Sequence, residues 1–160
     1  MNLMKKNDPD SLADAENSAA HLIKYRMRAE KELRHRLRDK GYNDKIIDEL
    51  IIKLKKIGII DDHKFAYLYM YDKVTLNKKG VIAVSNDLLK LGVEKYIVDE
   101  TAQKIKNEVN MYDIAKEQAE KYLSTNNDFL KLRKYLFRRG FDTEIIEYVI
   151  KDLGGEADDY

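Results

Sequence analysis

Cysteine is absent from the 160 residues. That excludes disulfides, thiolate metal ligands and a cysteine nucleophile, and it fits a reducing compartment. Proline occurs once, at Pro9, so no later residue of that type interrupts a helix. No apolar run approaches the roughly 20 residues that span a bilayer, and the N-terminus lacks an apolar signal core. A cytoplasmic protein with no membrane contact is therefore expected. Positive and negative charge nearly cancel, leaving +1, so any attraction for nucleic acid must come from local clustering. Catalytic signatures are missing as well. There is no phosphate-binding glycine loop and no Ser/His/Asp arrangement, and His21, His35 and His63 are too dispersed for a zinc motif. No enzyme activity, cofactor or metal is expected.

What is present is an amphipathic, charge-rich chain. Hydrophobic residues make up 44% and charged residues 37%, with a mean hydropathy of −0.61, a mix suited to exposed helices with one buried stripe. The punctuation is clearest between Leu33 and Ile51. Leu33 and Leu37 lie one helical turn apart, Gly41 supplies a residue that can enter the left-handed region, and Tyr42 folds back on Leu37. Asn43 or Asp44 then caps a new helix with the stripe Ile46, Ile47, Leu50, Ile51 and Leu54. Superposing the glycines repeats this grammar twice. Leu88, Gly92, Val93, Ile97 and Val98 match Leu37, Gly41, Tyr42, Ile46 and Ile47, and so do Leu136, Gly140, Phe141, Ile145 and Ile146. Leu33, Val84 and Leu132 coincide upstream.

Recurrence near 50 residues predicts an all-α chain of three tandem three-helix units in an elongated, curved array. Each unit is too small to bury enough surface alone, so stacking is expected. The boundaries are a flexible tail over 1–10, units over 11–57, 58–109 and 110–153, and an acidic tail over 154–160. Gly58 ends the third helix, Ile59 and Ile60 are buried in the turn, and Asp61 or Asp62 caps the fourth. That helix carries Phe65, Ala66, Leu68, Tyr69 and Val74 and ends near Lys78-Lys79-Gly80. Tyr67, Tyr69 and Tyr71 alternate as in a strand, but their neighbours favour a helix. A break near Met27 and Arg28 has no Gly or Pro to mark it.

Charge is distributed unevenly. Between Lys24 and Lys40 there are eight basic residues against Glu30, Glu32 and Asp39. Lys31, Arg34 and Arg38 form a stripe at i, i+3 and i+7. In the last unit Lys131, Arg133, Lys134, Arg138 and Arg139 have no intervening acid. Taken singly these could be solvated helix faces, with Lys40 and Arg139 merely favouring helix C-termini. Both clusters fall on the same helix of the repeat, which favours binding. Lys31, Arg34, Arg38, Lys40, Arg133, Lys134, Arg138 and Arg139 are the candidates. Ser85 stands where Arg34 and Arg133 stand, so the middle unit breaks the pattern.

Glu30-Lys31-Glu32-Leu33 through Lys40-Gly41-Tyr42, then Ile60-Asp61-Asp62-His63-Lys64-Phe65-Ala66 and Lys79-Gly80, resemble the RecX family of bacterial RecA regulators. Leu91-Gly92-Val93 follows where that family carries a second Lys-Gly ending, with Leu91 in place of the usual basic residue. The resemblance gives Gly41, Asp61, Asp62, Phe65, Gly80, Gly92 and Gly140 structural roles in the motif. It implies a non-enzymatic protein of DNA repair, recombination and the SOS response. Such a protein lodges in the groove of the RecA filament on DNA and restrains recombinase, ATPase and co-protease activity. The expected partners are the RecA filament and DNA, directly or through the filament, with the chain itself a monomer. Two alternatives stay open on the residues alone: a free-standing DNA-binding protein built from helix-turn-helix-like repeats, and a structural helical adaptor.

Overall fold

The structure is a computed structural model that describes residues 6–156, so the terminal parts of the two expected tails, 1–5 and 157–160, lie outside the described residues. The described residues form nine helices and no strand: α1 (Leu12–Tyr25), α2 (Glu30–Asp39), α3 (Asp44–Lys56), α4 (Asp62–Thr75), α5 (Val81–Lys90), α6 (Lys95–Glu108), α7 (Met111–Leu123), α8 (Phe129–Arg138) and α9 (Thr143–Asp152). They divide into two compact units. The first holds the chain up to Phe65 together with Leu91–Val93, and the second holds Ala66–Lys90 and the chain from Glu94 onward.

In the first unit α1, α2 and α3 pack on one another. Ala15 and Ala19 let α1 approach closely, and Leu33, Leu37, Ile47, Leu50 and Ile51 fill the centre. Ser11 caps α1 by accepting from the Asp14 amide, and Asn43 caps α3 by accepting from the Ile46 amide at 2.9 Å. Residues just before α1 are tied down, because the Pro9 carbonyl accepts from the Asn43 amide at 3.1 Å. Gly41 has φ +94; its amide bonds the Arg38 carbonyl at 2.8 Å, and the Tyr42 amide bonds the Leu37 carbonyl at 3.3 Å. That bond pair is the Schellman ending expected at this glycine. Tyr42 is buried, and its hydroxyl donates to the Asp14 carbonyl at 2.9 Å while meeting the Ser18 hydroxyl at 2.7 Å.

A break does separate α1 from α2, over Arg26 to Ala29, with extended backbone at both ends of the gap. Arg28 donates to the Leu22 carbonyl at 3.1 Å, satisfying a group freed where α1 stops. Gly58 carries positive φ and ends α3. Of the two isoleucines expected to be buried after it, Ile60 is buried and Ile59 is exposed. The chain leaves α3 through a single turn, and one turn can aim only one of two neighbouring side chains inward.

In the second unit α7, α8 and α9 pack on one another and α5 packs on α6. Leu132, Leu136, Phe141, Ile146, Val149 and Ile150 are buried around the Gly140 turn, as are Val84, Leu88, Ile97, Val98 and Ile105 in the α5–α6 pair. The tyrosine-rich stretch is helical. Its buried positions are Phe65, which belongs to the first unit, and Ala66, Met70 and Val74 in the second, whereas Leu68 is exposed. α4 stops at Thr75 rather than near Gly80, and Lys79-Gly80 follows outside it. The Gly80 amide donates to the Arg139 carbonyl at 2.8 Å, and the Ile82 amide donates to the Gly140 carbonyl at 3.1 Å. The chain comes so close here that a Cβ on Gly80 would fall on the Gly140 carbonyl group, and one on Gly140 would fall on Ala83.

Candidate partner-binding surface

The motif residues sit at joints. Asp61 and Asp62 divide the capping work: the Asp61 carboxylate accepts from the Lys64 amide of its own helix at 3.1 Å, and Asp62 accepts from the Glu30 amide at 2.9 Å. α2 has no side-chain cap of its own, since Ala29 occupies the N-cap position. Asp62 supplies that cap from 32 residues away in sequence. Burial pushes the Asp62 carboxyl up, against the opposing effect of the Glu30 amide. Phe65 is buried beside this joint in sequence. Gly92 resembles Gly41 and Gly140 in its positive φ, and a Cβ there would press on the Lys31 side chain.

The cations separate into two groups. Arg34 is half-buried, 3.4 Å from Glu30 and ion-paired to Asp48 on α3. Burial works against its charge, yet the Asp48 hydrogen bond and the Glu30 charge hold its pKa above the usual value. Lys55 meets the other Glu30 oxygen at 2.9 Å. Burial would raise the Glu30 carboxyl, but Lys55 and Arg34 together hold it below the usual range. Arg133 reaches Glu147 with two bonds, 2.9 and 3.3 Å, and also bonds the Glu156 carbonyl. Arg139 is half-buried, donates to the Asn77 carbonyl, and keeps its Nε buried without a hydrogen-bond partner. These three arginines hold helices and loops together within their own units.

Arg34 and Arg133 lie seven residues before their glycines, and Asp48 and Glu147 lie seven residues after them. The repeat therefore contains a clamp across the helix pair. In the middle copy Ser85 replaces the arginine, and the acid at the matching position, Asp99, pairs with Lys95 of its own helix at 2.7 Å.

Lys31, Arg38 and Lys40 on or just after α2 are exposed, as are Lys134 and Arg138 on α8. Arg38 leans on Asp44 at 2.8 Å. Among the described residues, the side chains of Lys134 and Arg138 meet no acid. The tyrosines of α4 are less free to stack on a ligand. Tyr67 donates to Glu108 at 2.6 Å with Lys104 lying 4.5 Å from its ring centre, and Lys73 lies 5.5 Å from the Tyr69 ring. No described group of His, Asp and Glu residues is arranged to hold a metal ion. No described helix is long and apolar enough to cross a membrane.

Sequence spacing alone could not find the Asp62–Glu30 bond or the Lys55–Glu30 pair, because each joins residues from different helices. The clamp was in principle visible, as an Arg and an acid placed symmetrically about each outer glycine.

The family model described as "RecX, first three-helix domain" matches residues 15–54. A regulatory protein RecX of Thermotoga sp. (strain RQ2) is 37% identical over 139 residues, covering 87% of this chain and 84% of the relative. The regulatory protein RecX of Clostridium acetobutylicum is 31% identical and covers 93% of this chain and 73% of its own. Among solved structures, RecX from Lactobacillus salivarius superposes with a TM-score of 0.79 at 24% identity, over 89% of this chain and 96% of that one.

Proposed function

The chain belongs to the RecX family, and from that premise we propose that it is a non-enzymatic regulator that binds the RecA filament on DNA. It acts by occupancy, lodging in the filament groove and restraining ATP hydrolysis, strand exchange and co-protease activity. The observation that supports this reading is the selective exposure of charge. Arg34, Arg133 and Arg139 are consumed inside their units, while Lys31, Arg38, Lys40, Lys134 and Arg138 stand outward on two separate helices of a chain whose net charge is only +1. Isolated solvated cations could be matched by neighbouring acids. Among the described residues Lys134 and Arg138 meet no acid, and the sequence from Phe129 to Gly140 contains none.

The test is ATP hydrolysis by RecA on single-stranded DNA, followed in time as the protein is added. Charge reversal at Lys31 and Arg38, or at Lys134 and Arg138, should abolish the inhibition while leaving the helical content unchanged. Full inhibition by the folded variants would remove these residues from the mechanism. The acid-free stretch of α8 also favours a second reading, binding to DNA without RecA. A mobility shift on bare DNA at physiological salt would support it.

A further inference from the structure

The outward face of α8 carries more than charge. Leu130, Lys134 and Phe137 follow one another at i, i+4 and i+7, with Arg138 beside them, so all four share a side of the helix. Leu130 is 55% exposed and Phe137 67%. On α5 the two residues at the same distances from their glycine are Ile82, 47% exposed, and Leu89, 42% exposed. On α2 those two positions are Lys31 and Arg38. The repeat thus reserves one register pair, ten and three residues before the glycine, for the outer surface. It is cationic in the first copy and apolar in the other two.

The two apolar pairs approach through one member of each. The Ile82 amide donates to the Gly140 carbonyl at 3.1 Å, and the Gly140 amide donates to the Phe137 carbonyl at 3.0 Å. Ile82 and Phe137 therefore flank one glycine, with Leu130 two turns back along α8 and Leu89 two turns on along α5. Exposed apolar side chains thus recur along two helices that meet end to end at Gly140, edged on α8 by Lys131, Lys134 and Arg138, an arrangement of the kind that marks an interaction surface.

From this we infer that the α5–α8 face is a protein-docking surface that takes an acidic segment carrying apolar anchors. The chemistry separates this occupant from nucleic acid. Three of the four anchors are aliphatic, and sequence-tolerant binding of single strands relies on aromatic rings stacked on bases. Aliphatic side chains need an apolar partner surface, and the three cations match acids around it. The inference rests on the reading that the target is a protein–DNA filament, and it assigns this face to the protein and the α2 face to charge.

The experiment uses the full chain, labelled for fluorescence anisotropy, titrated with single-stranded DNA alone and with RecA assembled on the same DNA. Leu130→Ala with Phe137→Ala should weaken filament binding by about 30-fold, as loss of a central anchor does, and leave binding to bare DNA within twofold. Ile82→Ser with Leu89→Ser should do the same from the other helix, so a folding defect confined to α8 cannot imitate the result. Phe137→Leu, which keeps an apolar anchor, should recover most of the affinity. Equal losses on bare DNA would show base stacking and overturn the inference. So would unchanged filament binding by both folded double variants. If the unaltered protein does not bind the filament, the proposed function falls and the inference with it, and that outcome is distinct because no variant is needed to see it.

Discussion

Asp62 illustrates how one side chain can carry a joint. It accepts the first amide of α2, which Ala29 cannot do, and thereby fastens the start of α4 to the start of α2. Asp62→Ala should cost about 1 kcal/mol in a urea titration, the usual effect of losing a helix cap, and Asp62→Asn should cost less because an amide oxygen still accepts. The two acids here respond to pH in opposite senses. Glu30 is held below the usual range, so its stabilisation is present above its unfolded pKa and is lost as pH falls through the lower folded value. Asp62 is raised by burial, so the folded form holds its proton more tightly and its contribution is lost as pH rises through the folded value. The urea midpoint should therefore climb less between pH 2.5 and 5 in Glu30→Gln than in the unaltered protein, and more in Asp62→Asn.

Helix pairs are the elements in which the repeat is visible, and two devices hold them. One is the positive-φ glycine. Gly41 and Gly140 share φ +94, but open space surrounds the first, whereas a Cβ on the second would strike Ala83. Gly41→Ala should cost about 1–2 kcal/mol from backbone strain alone. Gly140→Ala adds a steric clash and should cost at least about 3 kcal/mol, read from urea midpoints of the two variants. The other device is the Arg–acid clamp. Arg133→Lys should lose most of its value, because a single ammonium cannot make the paired bonds to Glu147. Ser85→Arg should build the missing clamp to Asp99 and stabilise the protein by about 0.5 kcal/mol, provided Lys95 releases that acid. A loss of stability in Ser85→Arg would mean that the middle pair is spaced differently from the other two.

At the scale of the whole molecule, near-neutral net charge means that binding draws on local clusters, which gives a measurable signature in salt. If about five phosphates are neutralised, affinity for bare single-stranded DNA should fall by roughly two powers of ten between 50 and 200 mM salt. Binding to the filament should fall less steeply, because apolar contacts are not screened. Equal slopes would place DNA phosphate at the centre of both complexes. The sequence by itself determined the helical class, the glycine turns at Gly41, Gly92 and Gly140, and the inward residues on either side of them. Those depend on spacing and on the conformational freedom of single residues such as Gly41 and Gly140, which local chemistry dictates. Only the tertiary structure decided which cations are held inside a unit and which stand outward. Arg34, Arg133 and Lys134 look alike in a string of letters, and the difference lies in whether an acid such as Asp48 or Glu147 stands opposite on the neighbouring helix. It also decided that Asp62 caps a distant helix and that Ile59 and Leu68 face outward. Such facts depend on where a second helix passes, and helical periodicity carries no information about that.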